Sequence, residues 1–272
     1  MNNKRICWPG ICLFIFTISA SNIVLAQSPP QQSAASTNWK FWGAITVDLA
    51  LSKESKITFG YLRSNDLNDS INTILSKNVF NQFGTSFEYA FSDHLKTRAG
   101  ILISQFPSSG NFLMRYFVKA DYKINIGEKV KWTNGLVVEK HSSNENRFSY
   151  RFIYITQLGL RKRLDFLSLS PSVSYWLFYN VGGTKIQYYD DLGQPSELET
   201  PDGIHRGRLV LKLNSKISDM LDISVYYMKQ TEFNLFNDYR SLNVVNPSTG
   251  KISRPFNNYN VIGVTINTNF DL

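Results

Sequence analysis

The stretch Phe112 to Ile126, FLMRYFVKADYKINI, decides the fold. In steps of two, Phe112, Met114, Tyr116, Val118, Ala120, Tyr122, Ile124 and Ile126 share one face, while Arg115, Lys119, Asp121, Lys123 and Asn125 fall on the other. Side chains of an extended chain alternate sides, whereas a helix groups residues three and four apart, so the pattern is that of a strand. Its length is unusual. A globular strand runs about five or six residues, and a tilted strand crossing a bilayer needs about nine to eleven. An apolar face this long, backed by several full charges, suits neither side of an ordinary protein core. It suits a wall with lipid on one side and a wet interior on the other, as in an outer-membrane β-barrel.

Outward from this stretch the same two-faced pattern recurs from Trp39 to the last residue. Phe41, Ile45, Val47, Leu49 and Leu51 alternate first, and Ile57, Phe59 and Tyr61 begin the return. Val79 to Phe91, Leu95 to Phe106 and Val130 to His141 follow the pattern. A seventh strand sets Phe148, Tyr150, Phe152, Tyr154, Leu158 and Leu160 against Arg147, Arg151, Gln157 and Arg161. An eighth sets Leu167, Leu169, Val173, Tyr175, Leu177 and Tyr179 against Ser168, Ser170, Ser172 and Ser174. Leu209 to Leu213, Leu221 to Tyr227 and Ile262 to Leu272 complete the series, with Val181 to Ile204 and Asn234 to Asn257 read as long loops. Short turns at 53–55, 92–94, 127–128 and 218–219 alternate with longer connections, as when one rim carries tight periplasmic turns and the other external loops. The fold class is therefore all-β, an antiparallel transmembrane β-barrel of about 10–12 strands over residues 39–272. The count itself is eleven, whereas bacterial single-chain barrels have an even number. Either the first stave is misread or the lead-in threads the lumen; the sequence leaves both open.

Composition agrees. The 272 residues carry 14% aromatic side chains, which favour sheet and membrane interfaces. The formal charge is +8, but the cations recur singly along strands, without the clustered face or motif of a nucleic-acid binder. Residues 1–26 read as a cleaved signal peptide: Lys4 and Arg5, the apolar run Ile11 to Ile18, then Val24-Leu25-Ala26 before Gln27. That apolar run is far short of the roughly twenty residues of a spanning helix. Residues 27–38, QSPPQQSAASTN, form a flexible lead-in. Both cysteines, Cys7 and Cys12, lie in the leader, so the processed chain is expected to hold no disulfide or thiolate metal site.

Two sets of residues are candidates for chemistry. The face assigned to the lumen includes Arg98, Arg115, Lys119, Asp121, Glu139, Arg151, Arg208 and Lys212. If the interior is open, such cations favour anionic solutes; if it is narrow, they pair with the acids and fill it, and ten to twelve strands lie between the two cases. His141-Ser142-Ser143-Asn144 is the other set. It resembles the His-x-Ser-Asn element of the outer-membrane phospholipase A and lipid A deacylase barrels, which implies a lipid esterase using His141 and Ser143. The place of the group that orients the imidazole in those families, about a dozen residues on, is held here by Ile155, Thr156 and Gln157. His141 also shares the lumen face, so a polar hairpin loop is the plainer reading. Asp190, Asp191, Glu197, Glu199 and Asp202 lack a recognisable cation-ligand spacing, and His94 and His205 are isolated. No catalytic residue, metal site or cofactor is assigned.

From Trp39 to Leu272, the strand order, the Arg147-x-x-x-Arg151 spacing on an aromatic strand and the closing Val-Ile-Gly-Val-Thr-Ile segment, Val261 to Ile266, resemble domain of unknown function 2490, a family of outer-membrane barrels. The resemblance implies an envelope barrel without an assigned activity and carries over no catalytic residues. The expectation is a non-enzymatic protein of the bacterial outer membrane, a small solute pore or a structural envelope component. Its partners would be membrane lipid and the outer-membrane assembly machinery, whose terminal signal the Phe270-Asp271-Leu272 ending resembles, and not nucleic acid. The lipid esterase and a surface protein binding ligand through its long loops are the alternatives.

Overall fold

Period-two alternation over eleven to sixteen residues gives eleven long strands, and they close on one another. The computed structural model describes residues 38–68, 77–144, 147–236 and 240–271. The expected signal peptide and all of the lead-in except Asn38 lie outside the described residues. In chain order the strands are β1 Trp39–Ala50, β2 Ser55–Asp66, β3 Asn78–Ala90, β4 Leu95–Phe106, β5 Asn111–Ile126, β6 Val130–His141, β7 Tyr150–Leu160, β8 Leu169–Val181, β9 Ile186–Tyr189, β10 Pro195–Glu199, β11 Gly203–Lys216, β12 Leu221–Leu235, β13 Val244–Val245, β14 Ile252–Ser253 and β15 Tyr259–Asp271. β9 with β10 and β13 with β14 are small separate hairpins in the connections. The other eleven form one closed barrel in the order β1-β15-β12-β11-β8-β7-β6-β5-β4-β3-β2.

The odd count is real. Ten neighbouring pairs are antiparallel, so the first and last strands must run the same way, and β1 pairs with β15 in parallel from Trp39↔Asn260 to Ala50↔Asp271. Thr46 Oγ1 donates to Asn267 Oδ1 across this seam at 2.5 Å. The expectation of an even number therefore fails, and the first stave was not misread. A consequence is that the described chain enters at the rim of the longer connections, where Trp39 lies opposite Asn260.

Local chemistry sets the tight turns of the opposite rim. Ser52 Oγ accepts from the backbone N–H of Glu54 and Ser55, each at 3.1 Å. Ser92 Oγ accepts in the same way from His94 and Leu95 at 3.2 and 3.1 Å. A hydroxyl that satisfies two turn amides replaces the ladder bonds lost where a strand reverses. The β5–β6 turn instead uses Gly127 at φ +59°, which a side chain would disfavour.

Three readings at strand ends need correction. Phe148 is not an outward residue of the seventh strand; it precedes β7 and is completely buried. Leu167 is not in the eighth strand; Phe166–Ser168 is a single 3-10 turn ahead of β8. The two long loops also begin late or end early, since β11 starts at Gly203, β12 extends to Leu235, and each connection carries a hairpin. Alternation fails as a guide at these points because the chain leaves the extended conformation while apolar residues continue.

One face of the wall carries large exposed apolar side chains on every strand, among them Ile45, Phe59, Phe83, Val118, Leu136 and Val225. Inside, β15 comes close to β12 where Tyr226 faces Gly263 in register. A Cβ on Gly263 would lie 2.0 Å from Tyr226 Cζ, so the ring occupies the space a side chain would need. Gly263→Leu is expected to destabilise the barrel by about 1–3 kcal/mol or more, as overpacking does. Loss of the heat-modifiable, compact band on a semi-native gel is the readout, and an unchanged band contradicts this packing.

Candidate functional site

Three inward-facing glutamates each draw two or more cations, Glu88 and Glu139 from adjoining strands and Glu232 from β11 and the β6–β7 connection. Glu88 on β3 takes Arg98 of β4 in a close ion pair, with Lys96 Nζ at 3.5 Å and Lys56 Nζ of β2 at 3.9 Å. Glu139 on β6 lies 3.4 Å from Arg151 Nη1 of β7, 3.9 Å from Arg115 Nη1 of β5 and 3.3 Å from His141 Nε2 on its own strand. Glu232 on β12 takes Arg206 of β11 through Nε and Nη2 on Oε1, at 3.0 and 2.5 Å. Its other oxygen accepts from Arg147 Nη2 at 2.9 Å and from the backbone N–H of Asn257 at 2.8 Å. Arg147 belongs to the β6–β7 connection, so this pair spans β7, β8 and β11 to reach β12.

Among the described residues, Arg208 and Lys40 form no ion pair of this kind. Arg208 Nε donates to Gln230 Oε1 at 2.8 Å and Nη2 to Tyr259 Oη at 3.3 Å. Its guanidinium stands 4.8 Å from the centre of the Phe178 ring, with Arg206 and Arg151 at 5.6 and 5.7 Å from the same ring. Lys40 Nζ lies 4.2 Å above the Tyr259 ring. An aromatic face holds a cation electrostatically but does not cancel its charge.

These groups enclose a chamber of about 470 Å³ in the half of the barrel nearer the long connections, lined by Lys40, Arg115, Arg151, Arg206, Arg208 and Glu139 and by aromatic walls that include Trp42, Trp176, Phe178 and Tyr259. Beneath it lies an apolar layer of Val137, Ile153, Ile155 and Phe178, with Phe117 and Trp176 packed against it. A second, smaller cavity of about 210 Å³ lies towards the short turns, lined by Lys96, Lys119, Asp121, Lys123 and Gln157 among others. Ile153 borders the upper chamber and Ile155 the lower cavity. On β7 the two cavities are thus a two-residue step apart, with apolar side chains between them.

The residues named from sequence are distributed over both halves. Arg115, Glu139, Arg151 and Arg208 line the upper chamber, and Lys119 and Asp121, paired at 2.8 Å, line the lower cavity. Arg98 is bound to Glu88, and Lys212 lies between Ser172 and Tyr226 in register. Sequence reading missed Glu232, Lys40, Trp42, Trp176 and Phe178. The available signal was that Trp176 and Phe178 continue the face of Ser172 and Ser174, where bulky rings are out of place on a merely wetted wall.

His141 and Ser143 are not joined by a hydrogen bond among the described residues. The His141 side chain is buried beside Glu139, Ser143 is exposed in the turn, and it is Ser142 Oγ that takes a bond, from Met114 N–H at 3.2 Å. In the first long connection Asp190 Oδ1 accepts from the backbone N–H of Leu192 and Gln194, and Asp202 Oδ1 from Gly182 N–H. Among the described residues no three His, Cys, Asp or Glu side chains gather as for a metal ion. Tyr188 of β9 is buried against the second connection and donates to Ser241 O at 3.2 Å. Burial pushes its phenol up to about 12, opposed by Arg240 and reinforced by Asp202 and Glu199. No family model matches this chain, and no curated protein matches it either.

Two outcomes follow. Glu232→Gln leaves Arg206 and Arg147 facing each other without their carboxylate, and breaking a buried pair in this way costs about 3–5 kcal/mol. Urea unfolding of the detergent-folded barrel should show that loss, and a change within about 0.5 kcal/mol would contradict it. Because the folded Tyr188 phenol keeps its proton above the ordinary value of about 10, its stabilisation is complete below that pH and is lost as pH rises from about 10 to 12. Proteolysis at the paired connections should therefore increase over that window, and less so in Tyr188→Phe.

Proposed function

We propose that this chain is a non-enzymatic β-barrel of the bacterial outer membrane whose interior is closed by its own side chains, a structural or ligand-holding envelope protein and not an open pore. The observation that carries the membrane placement is the outer wall. Soluble monomers rarely expose a contiguous apolar patch beyond a few hundred Å², yet here large apolar residues are exposed on all eleven staves. Opposite them stand paired arginines, lysines and carboxylates. Lipid outside and water inside resolve both demands at once, and a closed barrel leaves no unpaired strand edge in the hydrocarbon.

The apolar layer of Val137, Ile153, Ile155 and Phe178 favours the closed reading over the pore. An ion crossing that layer would lose water without gaining a polar partner, at a cost of several kcal/mol. The esterase alternative has less support, since a nucleophile and its base need hydrogen-bond reach and Ser143 has no such bond to His141 among the described residues. The pattern likeness to the envelope family of unknown function fits the same reading and adds no activity to it.

Purified barrel in planar bilayers should give no steady single-channel conductance, and cell fractionation should place the processed chain with the outer membrane. A sustained, anion-selective current would overturn the closed interior. Folded protein recovered from periplasm or medium without detergent would overturn the membrane placement. Ester hydrolysis abolished by Ser143→Ala would restore the enzyme alternative.

A further inference from the structure

The closed reading leaves a space that packing does not use. The upper chamber, about 470 Å³, falls in the size range of small-molecule pockets, roughly 300–1,000 Å³. Its charge is unbalanced. Among the described residues, Lys40, Arg115, Arg147, Arg151, Arg206 and Arg208 gather at and around it, against the carboxylates Glu139 and Glu232 and, opposite Lys40 in register, Asp66. The two glutamates are already engaged by Arg115, Arg151, Arg147 and Arg206. Among the described residues Arg208 and Lys40 form no ion pair and are held by neutral oxygens and by ring faces, so an entering anion could meet each of them without displacing an acid.

A second observation points the same way. Trp42 lines the chamber, and its buried indole Nε1 has no hydrogen-bond partner among the described residues. A buried donor left unpaired costs about 1–3 kcal/mol, and in native proteins such a group calls for an explanation. A ligand's acceptor would reach this donor only after the indole shifts, because the nitrogen is closed off from the chamber's free volume. Aromatic rings form much of the remaining wall, with Trp42 edge-on to Phe80 and tilted against Tyr259, and Trp176 beside Phe178. These rings touch one another and leave no gap between them, but together they line the chamber with aromatic surface against which a flat conjugated body could lie.

We propose that the chamber is a binding site for a small organic monoanion with an aromatic body, of the aryl carboxylate class. The anionic group lies between Arg208 and Lys40, and the ring lies against Trp42 and Trp176. A carboxylate suits Arg208 because a guanidinium presents two parallel donors to two oxygens. An inorganic anion would satisfy the charge but leave the aromatic wall unused, and a neutral aromatic would fill the wall but leave the cations unmet. The site faces the rim of the long connections, so the solute enters from that side and stops at the apolar layer. This inference rests on the closed-interior reading.

The test is calorimetry on the full detergent-folded barrel with three probes: 2-naphthoate, the neutral 2-naphthalenemethanol, and inorganic phosphate, each corrected against empty micelles. Naphthoate should bind at least about tenfold more tightly than either comparator, the scale set by one charge-assisted hydrogen bond. Arg208→Gln should weaken naphthoate by about tenfold or more, and Arg208→Lys should recover part of that loss. Lys119→Gln, which alters a lumen cation of the other half, should leave binding within about twofold, below the scale of one such bond. Heat-modifiability of each variant establishes that it is folded, and Lys40→Gln serves in place of Arg208→Gln if that variant is not. Equal affinity for the acid and the alcohol, or equal weakening by Lys119→Gln, overturns the site. Bilayer recordings on the same preparation separate the two readings: a silent barrel that does not bind naphthoate overturns the site alone, and a conducting one overturns the closed interior.

Discussion

The structure depends on backbone hydrogen bonding that closes without an edge. Each stave has a partner on both sides, so no row of amide and carbonyl groups is left to pair with another chain. With eleven staves, alternating direction cannot bring the ends together antiparallel, and the β1–β15 pair must be parallel. Parallel pairing is slightly weaker per residue. Here it is compensated by length, twelve residues from Trp39 to Ala50, and by the Thr46–Asn267 bond across the seam.

Closure then dictates the interior. Side chains alternate, so every strand that presents Phe, Leu or Val outward must present its other residues to a confined space. Strands with Arg at those positions need acids on their neighbours, and Glu88, Glu139 and Glu232 are placed where three groups of strands meet that need. Tyr226 over Gly263 and the Val137, Ile153, Ile155 and Phe178 layer fill what the ion pairs leave. The upper chamber is the exception, with cations in excess among the described residues and aromatic rings along its wall, which is why it is the place to look for a ligand.

How much of this was legible follows from range. Alternation is local, so all eleven staves, the inward position of Arg115 and Arg151, and the Ser52 and Ser92 turns follow from short windows of sequence. The odd closure depends on residues more than two hundred positions apart, and no window contains both Thr46 and Asn267. The Arg147–Glu232 pair is hidden for the same reason. Phe148 misled because an apolar residue two before Tyr150 continues the pattern while the chain has already turned inward. Trp176 and Phe178 were readable as inward residues, but the apolar cluster they join requires knowing which side chains of β5, β6 and β7 meet them.

The most direct test of the account is disulfide formation across the seam, in a chain with Cys7 and Cys12 replaced by Ser. Thr46→Cys with Asn267→Cys joins partners in register, and neighbouring-strand Cα separations lie within the range that a disulfide spans, roughly 4.4–6.8 Å. Oxidation of the folded barrel should cross-link this pair rapidly, and should not cross-link Thr58→Cys with Asn269→Cys, which β1 separates. The reverse result, β2 linked to β15 while Thr46 and Asn267 stay apart, would mean an even barrel without β1 and would contradict the parallel closure on which the interior arrangement rests.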